Sequence, residues 1–454
     1  MRALSALVLL VLAGCAGAPE AAPPPASPAG AQKPGGETAG FVPTGPQSFT
    51  PDAKARSRDY AVRQLWAVDI GRTDEKTTSF FADGAIWIGT KAGKHGPAGV
   101  HVIDGKTGTR RALLPAAQGE VVGIAMNGGL VYSTSLEGEV AVTNTSGGVL
   151  FRARAAAPIV TPPTLVDANG DGVLDIAVGE GKGSVTVFDG RSGKSLWSRA
   201  LGGEIGAGLA AADLDGDGKS ELVAGTYAGG LFVLRAADGG TVWQTTKPSP
   251  LRAAPVLCDV DANGKLEVIA GWYEGDLGIF AGATGKALWT QHVEEDNGEK
   301  TGIVASPTPL PGGTLLVPTA RHGKDVSILF VHAHDRAFHS HEGSVYAAPV
   351  LGSVRATGGR VEGVLGTENG EVYSFDAAGG ASFLYRIDGG SIAATALLAD
   401  IGQNGIEELV VSTREGKLIA LGIHASVPPF AGVPRGSSRR NDGVLPPIDL
   451  EWRL

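Results

Sequence analysis

Cysteine is nearly absent from this chain of 454 residues: Cys15 lies in an N-terminal leader pattern and Cys258 is the only other. A mature chain with one cysteine forms no intrachain disulfide, so a disulfide-stapled fold is excluded. Basic excess is lacking too. Lys and Arg number 38 against 47 Asp and Glu, a net charge of −9 that argues against nucleic acid as a partner. No apolar run after the first dozen residues is long enough to span a bilayer. There is no Gly-x-Ser-x-Gly elbow and no phosphate-binding loop, so the expectation is a protein that is not an enzyme.

What is present begins at the N-terminus. Arg2 supplies a positive start and Leu4 to Leu12 an apolar stretch, the pattern of a secretion signal. It ends in Leu12-Ala13-Gly14-Cys15, which resembles the bacterial lipobox. That resemblance implies a lipoprotein signal peptide over residues 1–14, lipidation at Cys15, and, with Ala16 following, sorting to the outer membrane. An ordinary signal peptide with an incidental cysteine is the other reading. Residues 15–62 form a tether rich in Pro, Ala and Gly that cannot bury enough apolar surface to fold. Contact with the membrane is expected only through this lipid.

The body of the chain repeats. Asp167, Asp213 and Asp259 open DANGDGVLD, DLDGDGKSE and DVDANGKLE at two equal intervals of 46 residues. Behind each loop come three short apolar segments divided by Gly turns, ending in a segment with tryptophan: Trp197, Trp243 and Trp289, again 46 apart. Four strands in a unit of this length indicate a propeller blade. The final-segment pattern occurs at Arg63–Ile70, Thr109–Leu114, Gly148–Arg154, Lys194–Ala200, Gly240–Thr246, Lys286–His292, Arg336–His341 and Ala381–Ile387. The first has no blade before it, and the last three-strand unit, Ser391–Ile423, has no fourth strand after it. These deficits cancel if the N-terminal strand joins the last blade, which leaves no open sheet edge there. The expected fold is all-β: an eight-bladed β-propeller of four-stranded antiparallel blades over 63–423, followed by a C-terminal tail over 424–454.

Each acidic loop has the donors that calcium selects, six to eight oxygens in a flexible cage. Side chains at positions 1, 3, 5 and 9 and the carbonyl at position 7 are the candidate ligands, with Gly at position 6 for a sharp turn. They are Asp167, Asn169, Asp171, Val173 and Asp175; Asp213, Asp215, Asp217, Lys219 and Glu221; and Asp259, Asp261, Asn263, Lys265 and Glu267. Asp400 begins a fourth, decayed loop with Asn404, Gly405 and Glu408 in register. The same residues also favour plain solvated turns. The first two units make this connection through Asp83-Gly84 and Asn127-Gly128, tight-hairpin signals. Cys258 stands where its neighbours have Val166 and Ala212, and reads as a small buried strand residue.

The Gly183–Trp197 segment (GSVTVFDGRSGKSLW) and its relatives at Gly229–Trp243 and Gly275–Trp289 resemble the PQQ-type propeller repeat. The acidic loops leading into an apolar strand resemble the FG-GAP repeat of integrin α-subunits. The first resemblance implies a quinone-cofactor dehydrogenase as one possibility, but those enzymes carry an adjacent cysteine pair that this chain lacks.

Other features have ordinary readings beside functional ones. His322, His332, His334, His339 and His341 cluster in one segment and offer imidazoles for zinc or copper, or are solvated surface histidines. Two loops, Glu294–Lys300 and Lys91–Gly99, exceed what the repeat needs and offer rim contacts. Ile448, Leu450 and Trp452 could fold the tail back onto the propeller. The expected function is a non-catalytic, calcium-binding scaffold for envelope or surface proteins, lipid-anchored at the outer membrane and facing the periplasm or the cell surface. Its architecture resembles the lipoprotein propeller that scaffolds outer-membrane protein assembly. A surface adhesin or glycan-binding module, and an enzyme acting on polysaccharide at the central channel, are the alternatives.

Overall fold

The computed structural model describes residues 62–423, except 207, 262, 293–301, 311–313, 321–324, 332–335, 343–344, 353–360 and 377–380. The leader, Cys15, most of the tether, the tail, the Glu294–Lys300 loop and His322, His332 and His334 lie outside the described residues. His339 and His341 fall in the outer strand Arg336–Glu342.

The described residues form eight antiparallel sheets and no helix. Blade 3 shows the plan. Its inner strand Thr164–Val166 pairs with Asp175–Gly179, which pairs with Ser184–Phe188, which pairs with the outer strand Ser195–Ala200. In blade 6 the inner strand is split into Gly302–Ile303 and Thr308–Leu310, both on Thr314–Ala320. Blade 8 takes its outer strand from the start of the ring: Val62–Asp69 lies against Lys417–Ile423, with Val62 opposite Ile423 and Asp69 opposite Lys417. The expected closure is therefore the observed one.

Burial follows strand position. The second strands are buried throughout, as in DIAVG, ELVAG and EVIAG, because each sheet packs on both faces against neighbouring blades. Outer strands alternate half-buried and exposed residues, as in Ser195–Ala200. The apolar core is accordingly divided among the seams. Val166, Val185 and Val187 meet Leu222 and Leu234 between blades 3 and 4, and Ile86 and Ile103 meet Leu397 and Leu418 between blades 1 and 8. Each such side chain, fully buried, contributes about 1.5–3 kcal/mol, so burial rather than turn chemistry holds the blades in place. Cys258 is fully buried in the seam of blades 5 and 6.

A tryptophan latch adds direction to this packing. Trp66 Nε1 donates to Gly105 O at 2.8 Å, Trp197 to Ala236 O at 2.7 Å and Trp243 to Gly282 O at 2.6 Å, each reaching the turn of the next blade. The ring lies on the turn's glycine: a Cβ on Gly108, Gly239 or Gly285 would come within 2.8 Å of it, and φ there is +69° to +71°. The period-46 Trp and Gly of the sequence are the two halves of one contact.

Loops between first and second strands share a face with turns between third and fourth strands, as the Arg191–Asp171 ion pair shows. Turns between second and third strands share the opposite face with the blade-to-blade connections, as the Lys91–Asp74 ion pair shows. Both ends of the ring, at Val62 and Ile423, open on the acidic-loop face.

Candidate metal centres and central channel

Each acidic loop is a hairpin connection, and its ninth residue opens the second strand. Asp175, Glu221, Glu267 and Glu408 start the strands Asp175–Gly179, Glu221–Gly225, Glu267–Gly271 and Glu408–Ser412, and all four are buried. Glu362 holds this position in blade 7 and is buried as well. The first residue organises the turn. Asp213 accepts from Gly216 N at 2.7 Å and Gly218 N at 2.9 Å, and Asp259 from Asn263 N at 3.0 Å and Gly264 N at 2.8 Å. The sixth residues, Gly172, Gly218, Gly264 and Gly405, have φ of +78° to +85°, which is why glycine recurs there. Lys219 and Lys265, at position 7, donate their N–H to the position-5 side chains of Asp217 and Asn263 at 2.7 and 2.8 Å.

Two loops bring acidic ligand atoms together. One oxygen each from Asp213, Asp215 and Glu221 lie within 4.8 Å of one another, and so do those of Asp259, Asp261 and Glu267. Glu221 Oε2 accepts from Leu214 N at 2.8 Å and Glu267 Oε2 from Val260 N at 2.9 Å. Burial, reinforced by the neighbouring aspartates, pushes both carboxyls up to about 7. Carboxylates held so close destabilise one another unless a cation or proton joins them. The all-oxygen donor set fits a hard divalent cation such as calcium.

The loop of blade 3 is built alike but resolved differently. Asp167 accepts from Gly170 N at 2.8 Å and Gly172 N at 3.0 Å, as in the other loops, and Val173 N donates to Asp171 Oδ1 at 2.8 Å. Here, however, Arg191 Nε donates to Asp171 Oδ2 at 2.8 Å, and Asn169 Nδ2 donates to Asp189 Oδ2 at 3.1 Å. Asp175 accepts three backbone N–H groups, from Ala168, Asn169 and Gly190; burial raises its carboxyl and these bonds oppose the rise. Asp167, Asp171 and Asp175 do not form a convergent acidic group. The register of Arg191 holds Ala237 in blade 4 and Ala283 in blade 5, so a guanidinium is available to blade 3 alone among the three. The fourth loop keeps the turn, with Asn404 N and Gly405 N each 2.8 Å from Asp400, but Gly402 leaves position 3 without a side-chain oxygen for a cation.

The lining of the central channel was not drawn from the sequence. A cavity of about 190 Å³ lies at the axis, walled by residues of seven blades. Just before the inner strand of each of these seven blades stands a small residue, from Thr78 in blade 1 through Pro162, Gly208, Ala254 and Ser306 to Thr395 in blade 8. Pro162, Gly208 and Ala254 keep the 46-residue period, a signal that was available but carries no hydrophobic pattern. On the face opposite the acidic loops, Glu75, Lys76, Tyr227, Arg252 and Tyr346 rim this cavity.

Comparison with known proteins places these features in a family. The model of the PQQ-type family described as outer membrane protein assembly factor BamB matches residues 63–303, more than half of the chain. Similar solved structures include BamB from Moraxella catarrhalis, at 15% identity and TM-score 0.43, covering 80% of this chain and 97% of that one. Sqt1 from Saccharomyces cerevisiae is 16% identical with TM-score 0.59, covering 78% and 98%. Quinohemoprotein alcohol dehydrogenase from Comamonas testosteroni is 13% identical with TM-score 0.58, covering 86% and 81%. At these identities the latter two show the fold alone, and the BamB superposition carries no further argument. No curated protein matches. By its repeats, its ring of eight blades and the match over 63–303, the chain belongs to the PQQ-like propeller family of the outer membrane protein assembly factor BamB.

Proposed function

We propose that the protein is a non-catalytic scaffold of the bacterial envelope, anchored through a lipid on Cys15 at the outer membrane and binding other envelope proteins. The family match over residues 63–303 carries this reading, since the matched family is described by its part in outer-membrane protein assembly. The N-terminal lipobox-like pattern supports the anchor. Crosslinking in intact cells, followed by identification of the captured protein, is the test. A defined envelope partner is expected; a chain that captures none with crosslinkers reaching both faces would sink the reading.

The same proposal assigns calcium to the loops of blades 4 and 5. Asp213, Asp215, Asp217, the Lys219 carbonyl and Glu221 would hold one ion, and Asp259, Asp261, Asn263, the Lys265 carbonyl and Glu267 another. Bound there, the ion neutralises the crowded carboxylates and ties the first strand of the blade to the second. Its part is to brace blades. These loops resemble FG-GAP calcium loops, and isothermal titration with Ca²⁺ should give two sites per chain.

A further inference from the structure

Arg252 differs from the other arginines that surround the axis. Its guanidinium carbon lies 4.1 Å from the centroid of the Tyr273 ring and 5.8 Å from that of Tyr227. Among the described residues it makes no hydrogen bond and no ion pair. Arg414, its counterpart over Tyr346 at 5.2 Å, is engaged instead by Glu368 at 3.8 Å. A guanidinium lying against aromatic faces keeps its in-plane N–H groups directed outward, the geometry that takes a carboxylate on two bonds.

Its position gives those donors a destination. Arg252 rims the axial cavity in the connection into blade 5, and Lys76 rims it in the connection into blade 1, on the opposite side of an eight-membered ring. The Lys76 ammonium likewise has no ion pair among the described residues. Among the described residues that line the cavity, Glu75 is the one carboxylate, against two cations. Below them the wall is apolar and small, with Pro162, Ala254, Ala305 and Ala348. Two of the wall hydroxyls are committed to neighbouring blades: Thr78 Oγ1 donates to Ile124 O and Ser306 Oγ to Ala254 O, both at 2.7 Å. The cavity therefore presents charge at its mouth and apolar surface in its depth. Its volume of about 190 Å³ equals roughly six waters at about 30 Å³ each, room for a short aliphatic chain.

We propose that the axial channel binds a carboxylate carried on a short apolar stem, with Arg252 as its main partner and Lys76 as a second. The ligand enters from the face opposite the chain ends and the acidic loops, and the site is independent of calcium. A free aliphatic acid and the C-terminus of a peptide ending in an aliphatic residue share this chemistry. Calorimetric titration of the mature protein separates them with three probes: pentanoate, acetyl-Gly-Gly-Leu with a free carboxylate, and the same peptide as its amide. One site per chain is expected for at least one of the two acids. Converting the carboxylate to amide should weaken binding about tenfold or more, and Arg252→Gln should do the same. Whichever acid binds more tightly identifies the source. Ala254→Leu, which fills the channel and leaves the rim unchanged, should abolish binding while circular dichroism and melting confirm the fold. The proposal is overturned if neither acid binds, if acid and amide bind alike, or if Arg252→Gln or a folded Ala254→Leu variant binds as wild type does.

Discussion

Blades 3 and 4 carry nearly the same loop and balance its charge in different ways. In blade 3 the turn above the loop supplies Arg191, which takes Asp171 at 2.8 Å, and the closing Asp175 is held by three backbone N–H groups. In blade 4 the matching position is Ala237, nothing cationic reaches Asp217 among the described residues, and Glu221 is pushed up to about 7. One blade contains its own counter-cation, and the other depends on a proton or a metal. Blade 5 follows blade 4, with Ala283 above its loop. Sequence similarity between loops is thus a poor guide to equal metal affinity, because the deciding side chain comes from another turn.

The widest test of this contrast is metal removal. A ligand present at about 100 times its Kd stabilises a folded state by about 2.7 kcal/mol per site. Two such sites in a ring of this size correspond to a loss of about 5–10 °C in Tm on adding EDTA. Hydrogen exchange should quicken most in Ala210–Ala212 and Val256–Cys258, the inner strands beside the two loops, and least in Thr164–Val166 of blade 3. A melt indifferent to EDTA in metal-free protein would remove calcium from the account.

Next in size is the response to pH. Glu221 and Glu267 have folded values raised from 4.5 to about 7. Between those limits the metal-free folded chain holds more protons than the unfolded one. This contribution to stability is complete below about 4.5 and is lost as pH rises through about 7. The metal-free protein should therefore lose Tm between pH 5 and pH 8 from these two blades. Saturating calcium, which needs the ionised carboxylates, should flatten or reverse that slope. Asp104, in the turn of blade 1, has the opposite sign: hydrogen bonds from Arg111 and Thr107 lower it to about 2, so its contribution is lost only as pH falls through that value. Glu221→Gln keeps an acceptor for Leu214 N and should remove about half of the part of the slope that Glu221 and Glu267 contribute; Asp175 and Glu408, raised in the same direction by burial, keep theirs. An unchanged slope in that variant would refute the assignment.

Much of this frame was legible in the sequence. The 46-residue interval of Trp197, Trp243 and Trp289 predicted the blades, because a latch onto a glycine turn repeats wherever the blade repeats. The unmatched strand at Arg63–Ile70 predicted closure by counting, and Val62–Asp69 pairs with Lys417–Ile423 as counting required. Two things were out of reach for physical reasons. Nothing local to DANGDGVLD tells that a residue twenty positions after Asp171 folds back above it, since that needs the height of one turn over another. The residues that line the channel were not identified because they are small side chains, which make no hydrophobic periodicity. Gly208 and Ala254 look like turn residues until the ring brings them to one axis.

Exchanging the counter-cation between blades is the finest test. Ala237→Arg places a guanidinium above Asp217, where Arg191 stands over Asp171 in blade 3. An exposed ion pair of this kind is worth about 0.2–1 kcal/mol, so metal-free Tm should rise by a degree or two at most. The more telling readout is stoichiometry, which should fall from two calcium ions to one by calorimetry. Arg191→Ala is the reverse exchange. It frees Asp171 to join Asp167 and Asp175, and the metal-free protein should lose a similar fraction of a kcal/mol. Calcium stoichiometry should rise from two to three, with the new site the weakest because Asp175 keeps its three backbone partners. If Arg191→Ala leaves the count at two, those backbone bonds rather than the guanidinium are what separate blade 3 from blade 4. Asp175→Glu, which lengthens the closing side chain to match Glu221, then becomes the variant that decides.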